Sequence, residues 1–264
     1  MIHAAPDGCR VYYETQGEAG PRVLLIPGLG GDGRFWAGAA RLLAAEHRLL
    51  IVDHRGAGRS DRPDIAYSLP QIADDIAAIL RATGGPAHVV GHSTGGALAQ
   101  ILALDHADLV RSLTISASWA RPDARFSALF RARAAMAAAG LAEAYQDLTH
   151  ALGHEPDYLE TNAAAMAAAV AQAAERLAPL AVTARRVAML LDHDRLADLP
   201  RIAAPTLVIA AEADEIAPPP MSRAIAAAIP GARLVLTPGA HFYPVAHPRR
   251  LAGPVRDHIA GACP

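Results

Sequence analysis

The 264-residue chain contains no lysine, few aromatic side chains and only two cysteines. All 24 cationic side chains are therefore arginines, and 26 acidic residues bring the formal net charge to −2. Nucleic-acid-binding domains usually carry a basic excess, so this balance argues against nucleic acid as a partner. Cys9 and Cys263 lie at opposite ends of the chain without metal-ligand or redox spacing, and we expect incidental thiols in a reduced, cytoplasmic protein.

Long apolar runs and a secretion signal are also missing. Apolar stretches such as 23–26 and 206–211 fall far short of the roughly 20 residues that a membrane helix needs. Segment 1–7 has no charged region followed by an apolar one, so we expect neither a signal peptide nor a membrane partner. The hydrophobic content of 52% rests largely on 62 alanines, which are densest in residues 121–192.

Strand-like and helix-like segments alternate through residues 1–118 and again after residue 196. The unbroken apolar run 23–26 is typical of a strand buried on both faces. The other predicted strands lie at 10–15, 48–52, 87–90, 110–115, 206–211 and 233–236. Helices are predicted at 36–46, 69–82, 94–106, 218–229 and 248–259. This alternation indicates an α/β fold with a mainly parallel sheet.

Residues 119–196 interrupt the alternation because the whole stretch is helix-forming and rich in alanine. Gly140, the segment 153–156 and Pro179 punctuate it, which predicts about four helices. No flexible linker flanks the stretch. We therefore expect a helical cap at 119–196, inserted into a core formed by 1–118 and 197–264.

The segment Gly91-His92-Ser93-Thr94-Gly95 matches the pattern G-x-S-x-G. It follows the predicted strand 87–90 and begins the helix 94–106, which is the strand–turn–helix setting of a nucleophile elbow. The serine of such a turn lies at a helix N-terminus, where developing negative charge is stabilised. Ser93 is therefore the predicted nucleophile, and an ordinary N-cap serine is the alternative.

A serine hydroxyl needs a general base near neutral pH. In this kind of site the acid and then the base follow the serine along the chain. His241 comes after the strand 233–236, in a loop at the end of the sheet, and is the predicted base. His247 and His258 lie at or inside the last helix, where we expect surface or capping roles.

A carboxylate must orient the imidazole of the base and stabilise its protonated form. Asp214 follows the strand 206–211 directly and is the predicted acid. Glu212 and Glu215 in the same acidic turn are the alternatives.

The tetrahedral intermediate of acyl transfer needs backbone N–H donors. We expect one from Thr94, next to the nucleophile, and one from Leu29 in the glycine-rich loop 28–31. That loop could instead hold phosphate. However, the chain has no lysine for a Walker motif and the loop does not begin a clear helix, so nucleotide binding is disfavoured.

The order of these segments resembles the α/β-hydrolase superfamily along essentially the whole chain. The resemblance rests on 27–31, 53–60, 91–96, Asp214 and His241. It implies an eight-stranded, mostly parallel sheet with an inserted helical cap, and a structural turn at 53–60. It also implies a serine hydrolase that works through an acyl-enzyme, with no metal and no organic cofactor.

Within the superfamily the chain looks most similar to the group around 3-oxoadipate enol-lactonase and the aminoacrylate hydrolase. That similarity rests on 28–31 with Trp36, on 130–133 in the cap and on 185–186. We expect the cap to supply specificity through apolar walls, or else simply to pack, at Trp119, Phe126, Phe130, Met136 and Met189, with Phe242 next to the base. Three arginines, Arg133, Arg185 and Arg186, could bind a substrate carboxylate or be solvated or paired within the protein.

The predicted function is hydrolysis of a small carboxylic ester, lactone or activated amide, with a small-molecule substrate and water as partners. We expect a monomer or a homodimer. The same residues could instead serve an acyltransferase, a perhydrolase or a C–C bond hydrolase, and a ligand receptor on a hydrolase fold is a further alternative. A haloalkane dehalogenase is disfavoured because its nucleophile would be aspartate, not Ser93.

Overall fold

The computed structural model describes residues 1–262, so Cys263 lies outside the described residues. Eight strands form one sheet in the order β1-β2-β4-β3-β5-β6-β7-β8. They are β1 (Ile2–Ala4), β2 (Arg10–Gln16), β3 (Arg22–Ile26), β4 (Arg48–Val52), β5 (Ala87–His92), β6 (Val110–Ser116), β7 (Thr206–Ala211) and β8 (Arg233–Thr237). Only the pairings of β1 with β2 and of β2 with β4 are antiparallel. The predicted α/β fold with a mostly parallel eight-stranded sheet is confirmed.

Helices cover both faces of this sheet. They are α1 (Ala37–Leu43), α2 (Leu69–Ala82), α3 (Thr94–Asp105), α4 (Ala124–Ala138), α5 (Ala142–Gly153), α6 (Pro156–Thr161), α7 (Ala163–Ala171), α8 (Ala173–Arg176), α9 (Leu180–Ala188), α10 (Pro219–Ala228), α11 (Tyr243–Ala246) and α12 (Arg249–Ala262). Apolar residues of α2, α3 and α10 share one core with the sheet, and those of α1 and α12 share another. Because β5 and β7 lie between these layers, every residue of both strands is buried.

Local signals in the sequence explain where several elements begin. The Ser68 side chain accepts a hydrogen bond from the Gln71 N–H and caps α2, and Pro70 follows within its first turn. Asp123 caps α4 by accepting from the Phe126 N–H at 2.7 Å. Side chains of this kind satisfy N–H groups that have no acceptor inside the helix.

Six α-helices, α4 to α9, lie between β6 and β7, where the sequence predicted about four. The difference arises because α6, α7 and α8 are separate short helices. Asn162 and Gln172 divide them with ψ angles of 19° and 2°, outside the helical range. Alanine favours helix on both sides of these breaks, so composition did not reveal them. Within residues 1–262, no helix has the length and apolarity needed to cross a bilayer.

Candidate active site

Ser93 lies in the turn between β5 and α3 and has an unusual backbone conformation, with φ 54° and ψ −118°. Its N–H donates to the Ser116 carbonyl at 2.8 Å. Its own carbonyl accepts from the Gly96 N–H and from the Ser118 hydroxyl, each at 2.8 Å. A strained residue persists only where its surroundings determine its conformation, as these bonds do here.

The two outer glycines of the elbow leave no space for side chains. A Cβ on Gly91 would lie 2.0 Å from the Gly95 carbonyl oxygen, and a Cβ on Gly95 would lie 2.0 Å from the Ile26 carbonyl oxygen. Both contacts are with backbone, which cannot move aside as a flexible side chain can. The G-x-S-x-G spacing is therefore a steric requirement of this turn.

The predicted acid and base are hydrogen-bonded. His241 Nδ1 lies 2.7 Å from Asp214 Oδ2. The other carboxylate oxygen, Oδ1, accepts from the N–H groups of Ile216 and Ala217, both at 2.8 Å. Because the carboxylate only accepts, the shared proton is carried by His241 Nδ1, and His241 Nε2 keeps a free lone pair. An imidazole in this tautomer can act as a general base.

Backbone bonds between two loops bring this pair together. The Glu212 N–H donates to the Thr237 carbonyl at 2.9 Å, and the Ala213 N–H donates to the Gly239 carbonyl at 3.0 Å. These bonds tie the end of β7 to the end of β8, so the next residues on each side meet. Asp214 is buried there, whereas the alternatives Glu212 and Glu215 are exposed to solvent.

The structure places the two other C-terminal histidines away from this pair. His247 Nε2 contacts Glu155 Oε2 at 3.2 Å near the surface. His258 lies inside α12, with its Nε2 3.2 Å from the Pro205 carbonyl. The expected surface or capping role was wrong for His258, because this helix face packs against the sheet and buries the ring.

The residue before Ser93 packs against the predicted base. The His92 ring, directly before Ser93 in the chain, is 4.9 Å from the His241 ring between centroids. Within residues 1–262 the Ser93 hydroxyl has no hydrogen-bond partner, and the residue is 7% exposed. Catalytic hydrogen bonds are often long before substrate binds, so this arrangement is compatible with transfer of the serine proton to His241.

The two expected oxyanion donors are unpaired. The glycine-rich loop approaches the nucleophile closely, because a Cβ on Gly28 would lie 3.3 Å from the Ser93 Cβ. In the described part of the chain, neither the Leu29 N–H nor the Thr94 N–H donates a hydrogen bond to another residue. Unpaired amides beside a nucleophile are available to a negatively charged oxygen.

A buried polar network supports the elbow and was not found from the sequence. His92 Nδ1 is 3.1 Å from the Ser116 hydroxyl, which is 2.7 Å from the Tyr243 hydroxyl. The Phe35 ring stacks on His92 at 4.9 Å. Burial, and then the neighbouring His241, hold the pKa of His92 well below its ordinary value, so His92 is neutral beside the base. Residues so far apart in sequence give no local signal of this network.

The residues expected to line the pocket fall into two groups. Trp119, Phe126 and Phe130 form a continuous cluster of tilted rings, with centroid distances of 4.6 and 4.3 Å, and Arg133 lies 5.3 Å from the Phe130 ring. Separately, Phe242 lies 5.3 Å from the His241 ring. Met189 is buried and Met136 is half-buried.

The sequence analysis missed His154, which follows α5 and lies near the predicted base. The His154 ring lies 5.1 Å from Phe242 and stacks on Tyr158 at 4.5 Å. The backbone next to His154 is held to the loop that contains His241, since the Phe242 N–H donates to the Gly153 carbonyl at 2.7 Å. Burial, with smaller effects of His150 and His241, lowers the pKa of His154 to about 4. In the sequence, segment 153–156 indicated only a helix break.

Among residues 1–262, no three His, Cys, Asp or Glu side chains are grouped so that they could hold a metal ion.

Comparisons with known proteins agree with this architecture. Residues 21–248 match the sequence model of the α/β-hydrolase fold family. RutD of Azorhizobium caulinodans, provisionally named a carbamate hydrolase, is 35% identical over 250 residues, which are 94% of each chain. RutD of Caulobacter sp. strain K31 is 33% identical over 259 residues, covering 95% of this chain and 96% of that protein.

A similar solved structure is the enol-lactonase from Burkholderia xenovorans LB400. Its TM-score is 0.90 at 25% identity, and the match covers 98% of this chain and 100% of that one. The family match spans most of the chain and both relatives exceed 30% identity over nearly their full length. The chain therefore belongs to the α/β-hydrolase fold family and is a hydrolase.

Proposed function

We propose that the protein is a serine hydrolase that cleaves a small carboxylic ester, lactone or activated amide through an acyl-enzyme. The observation that carries the proposal is the 2.7 Å bond between His241 Nδ1 and Asp214, which leaves Nε2 free as a base beside the Ser93 elbow. The names of the relatives support this range of substrates, since one is a carbamate hydrolase and another an enol-lactonase.

In the acylation step, Ser93 Oγ bonds to the carbonyl carbon of the substrate while its proton passes to His241 Nε2. The carbonyl oxygen becomes an oxyanion and accepts from the amides of Leu29 and Thr94. The intermediate then collapses, and the leaving group departs with the proton from His241. Asp214 stabilises the imidazolium that exists between these two transfers.

In the deacylation step, water attacks the acyl carbon while His241 Nε2 removes its proton. A second oxyanion forms in the same place, and its collapse breaks the bond to Ser93 Oγ. The serine takes the proton back from His241, and the carboxylic acid leaves. The cycle is balanced by one water molecule.

Ser93→Ala tests this proposal. We expect the variant to lose turnover of p-nitrophenyl acetate and covalent labelling by a fluorophosphonate probe, while its circular dichroism spectrum stays native. Labelling that persists in Ser93→Ala would disprove the assignment of the nucleophile.

A single-turnover experiment separates a hydrolase from a receptor on the same fold. An acyl-enzyme that forms and then releases acid within the steady-state turnover time supports hydrolysis. Formation without release, with tight retention of the ligand, would support a receptor instead. Transfer of the acyl group to added alcohol or peroxide in preference to water would favour the acyltransferase or perhydrolase alternatives.

A further inference from the structure

Three arginine side chains are buried in the described chain, and one of them is neutralised by carboxylates. Arg55 makes two bonds to Asp75, at 2.5 and 2.6 Å, and two to Asp7, at 2.6 and 3.3 Å. Within residues 1–262, neither Arg133 nor Arg186 has an acidic partner, and the Nε–H of each donates to nothing. An unpaired charge costs several kcal/mol to bury, so such a charge points to a ligand of opposite sign.

Arg186 is the more completely isolated of the two. It lies on α9 with 4% of its surface exposed, and its one hydrogen-bonding contact joins Nη2 to His54 Nδ1 at 3.2 Å. Burial lowers the pKa of Arg186 to about 10, while the phenols of Tyr145 and Tyr67 act in the opposite direction. Arg62, another cation, lowers it further. The side chain therefore stays protonated at neutral pH in a place without a counterion.

The contact with His54 determines where the histidine proton is. A guanidinium can only donate, so His54 Nδ1 accepts and its proton is on Nε2. Burial, and then Arg186, hold the pKa of His54 well below its ordinary value, so the ring is neutral. His54 is 1% exposed, and its Nε2 also has no partner among residues 1–262. Arg186 and His54 thus each present a buried N–H group without an acceptor.

This pair lies against the loop that carries the expected oxyanion donor. A Cβ on Gly31 would be 2.7 Å from Arg186 Nη2 and 3.2 Å from the His54 Cβ. The Gly31 N–H donates to the Gly28 carbonyl at 2.8 Å and closes a four-residue turn. Gly28, at the other end of that turn, adjoins Ser93. The Cα atoms at the two ends of a turn of this kind lie less than about 7 Å apart, so this single turn separates the Arg186 side from the Ser93 side of the loop.

We propose that Arg186 and His54 form an anion subsite that binds a carboxylate of the substrate while Ser93 attacks its carbonyl group. The inference rests on the proposed function and narrows its substrate class. The substrate is then a short ester, lactone or carbamate with a free carboxylate a few bonds from the carbonyl that is cleaved. Arginine suits this role because its planar N–H groups match the two oxygens of a carboxylate.

Matched esters test the subsite. Mono(p-nitrophenyl) glutarate carries a terminal carboxylate, and p-nitrophenyl methyl glutarate is its neutral counterpart. We expect the native protein to have a higher kcat/KM for the charged ester. We expect Arg186→Gln to lower the ratio of charged to neutral kcat/KM by about ten- to a hundredfold, the scale of a lost hydrogen bond between charged groups. A native protein that turns over both esters equally, or prefers the neutral one, would overturn the subsite and leave the hydrolase proposal intact.

Arg185 is a matched control on the same helix. It is about half-exposed and pairs with Asp64 at 3.0 Å, so Arg185→Gln should preserve the ratio of charged to neutral kcat/KM. An equal decrease in Arg185→Gln and Arg186→Gln would show a general effect of surface charge and would contradict the subsite.

Binding of glutarate alone tests the subsite independently of catalysis. We expect glutarate to raise the melting temperature of the native protein and of Ser93→Ala, but not that of Arg186→Met. Without ligand, Arg186→Met should be at least as thermostable as the native protein, because it removes an uncompensated buried charge. Equal stabilisation of all three by glutarate would refute the subsite. A large fall in melting temperature of ligand-free Arg186→Met would instead indicate a structural role.

Discussion

At the scale of single residues, neighbouring groups hold Ser93, Asp214 and His241 in the arrangement that the proposed mechanism requires. Two N–H groups hold one oxygen of Asp214, so the other oxygen is fixed toward His241. Ser93 is held by hydrogen bonds to its N–H and to its carbonyl, which fix its backbone conformation. Backbone N–H groups orient Asp214, whereas side chains contribute to the positions of Ser93 and His241.

The acid has its own test at this scale. We expect Asp214→Asn to lower kcat at least about a hundredfold, because an amide supports neither the required imidazole tautomer nor its positive charge. The exposed neighbour provides the control, and Glu215→Gln should retain nearly native kcat. Near-native activity of Asp214→Asn would show that another carboxylate performs this role.

Sequence reasoning about residues worked best where the structure is local to a motif. The strand–turn–helix setting of Ser93 was predictable because it is contiguous in the chain. Asp214 was the predicted acid, but the sequence left Glu212 and Glu215 as alternatives, since all three follow the same strand. Burial of Asp214 and its bond to His241 distinguish them, and both depend on how two distant loops meet.

At the scale of elements, the elbow is the tightest junction in the site. β5 and α3 approach so closely that the backbone of Gly91 meets that of Gly95, and Gly95 meets Ile26 on β3. The same parallel strands whose ends form this junction were predicted because they are continuous apolar runs. The predicted bounds of β4, α2 and β7 agree residue for residue with the structure.

Two alanine substitutions test the steric argument. Gly95→Ala should lower the free energy of unfolding by several kcal/mol, because its Cβ would overlap a carbonyl oxygen and force the backbone apart. Gly261→Ala lies within α12, and beyond its chain neighbours and its own helix no atom is within 4 Å of the added Cβ, so it should raise stability by up to about 1 kcal/mol. Urea unfolding of both variants measures the contrast. A stable Gly95→Ala would contradict the described packing.

Helix boundaries inside the insertion were less predictable. Alanine favours helix everywhere in this stretch, so the breaks at Asn162 and Gln172 had no distinguishing signal. The contact between Gly153 and Phe242, which connects the insertion to the base loop, joins residues 89 positions apart. Contacts of this kind depend on tertiary packing and leave no local pattern.

At the scale of the whole molecule, several histidines are buried in neutral form. Burial lowers the pKa of His88, His154 and His193 to about 4 each. An unfolded chain protonates these groups near the ordinary value of 6.5. Between pH 6.5 and 4 the unfolded state therefore binds more protons than the folded state. These histidines should therefore leave the free energy of unfolding unchanged above pH 6.5. They should lower it as the pH decreases toward 4.

His88 makes this prediction specific. Its Nδ1 is 2.8 Å from the Ser112 hydroxyl, a bond that an asparagine amide can retain. We expect His88→Asn to reduce the loss of stability between pH 7 and pH 5 by about 1–2 kcal/mol, since one titrating group is removed. Urea unfolding of the native protein and of His88→Asn at pH 7 and pH 5 measures this loss. An unchanged difference would show that His88 does not contribute to the acid sensitivity.

The sequence by itself determined the sheet, the position of the elbow and the general class of chemistry. Apolar periodicity and turn residues act between neighbouring residues, so a contiguous segment is enough to predict their effect. The tertiary structure decided which carboxylate meets His241, how His92 is buried beside it, and that Arg186 lies unpaired against the turn that adjoins Ser93. Those facts depend on burial and on distances between remote segments, and only the folded chain sets them.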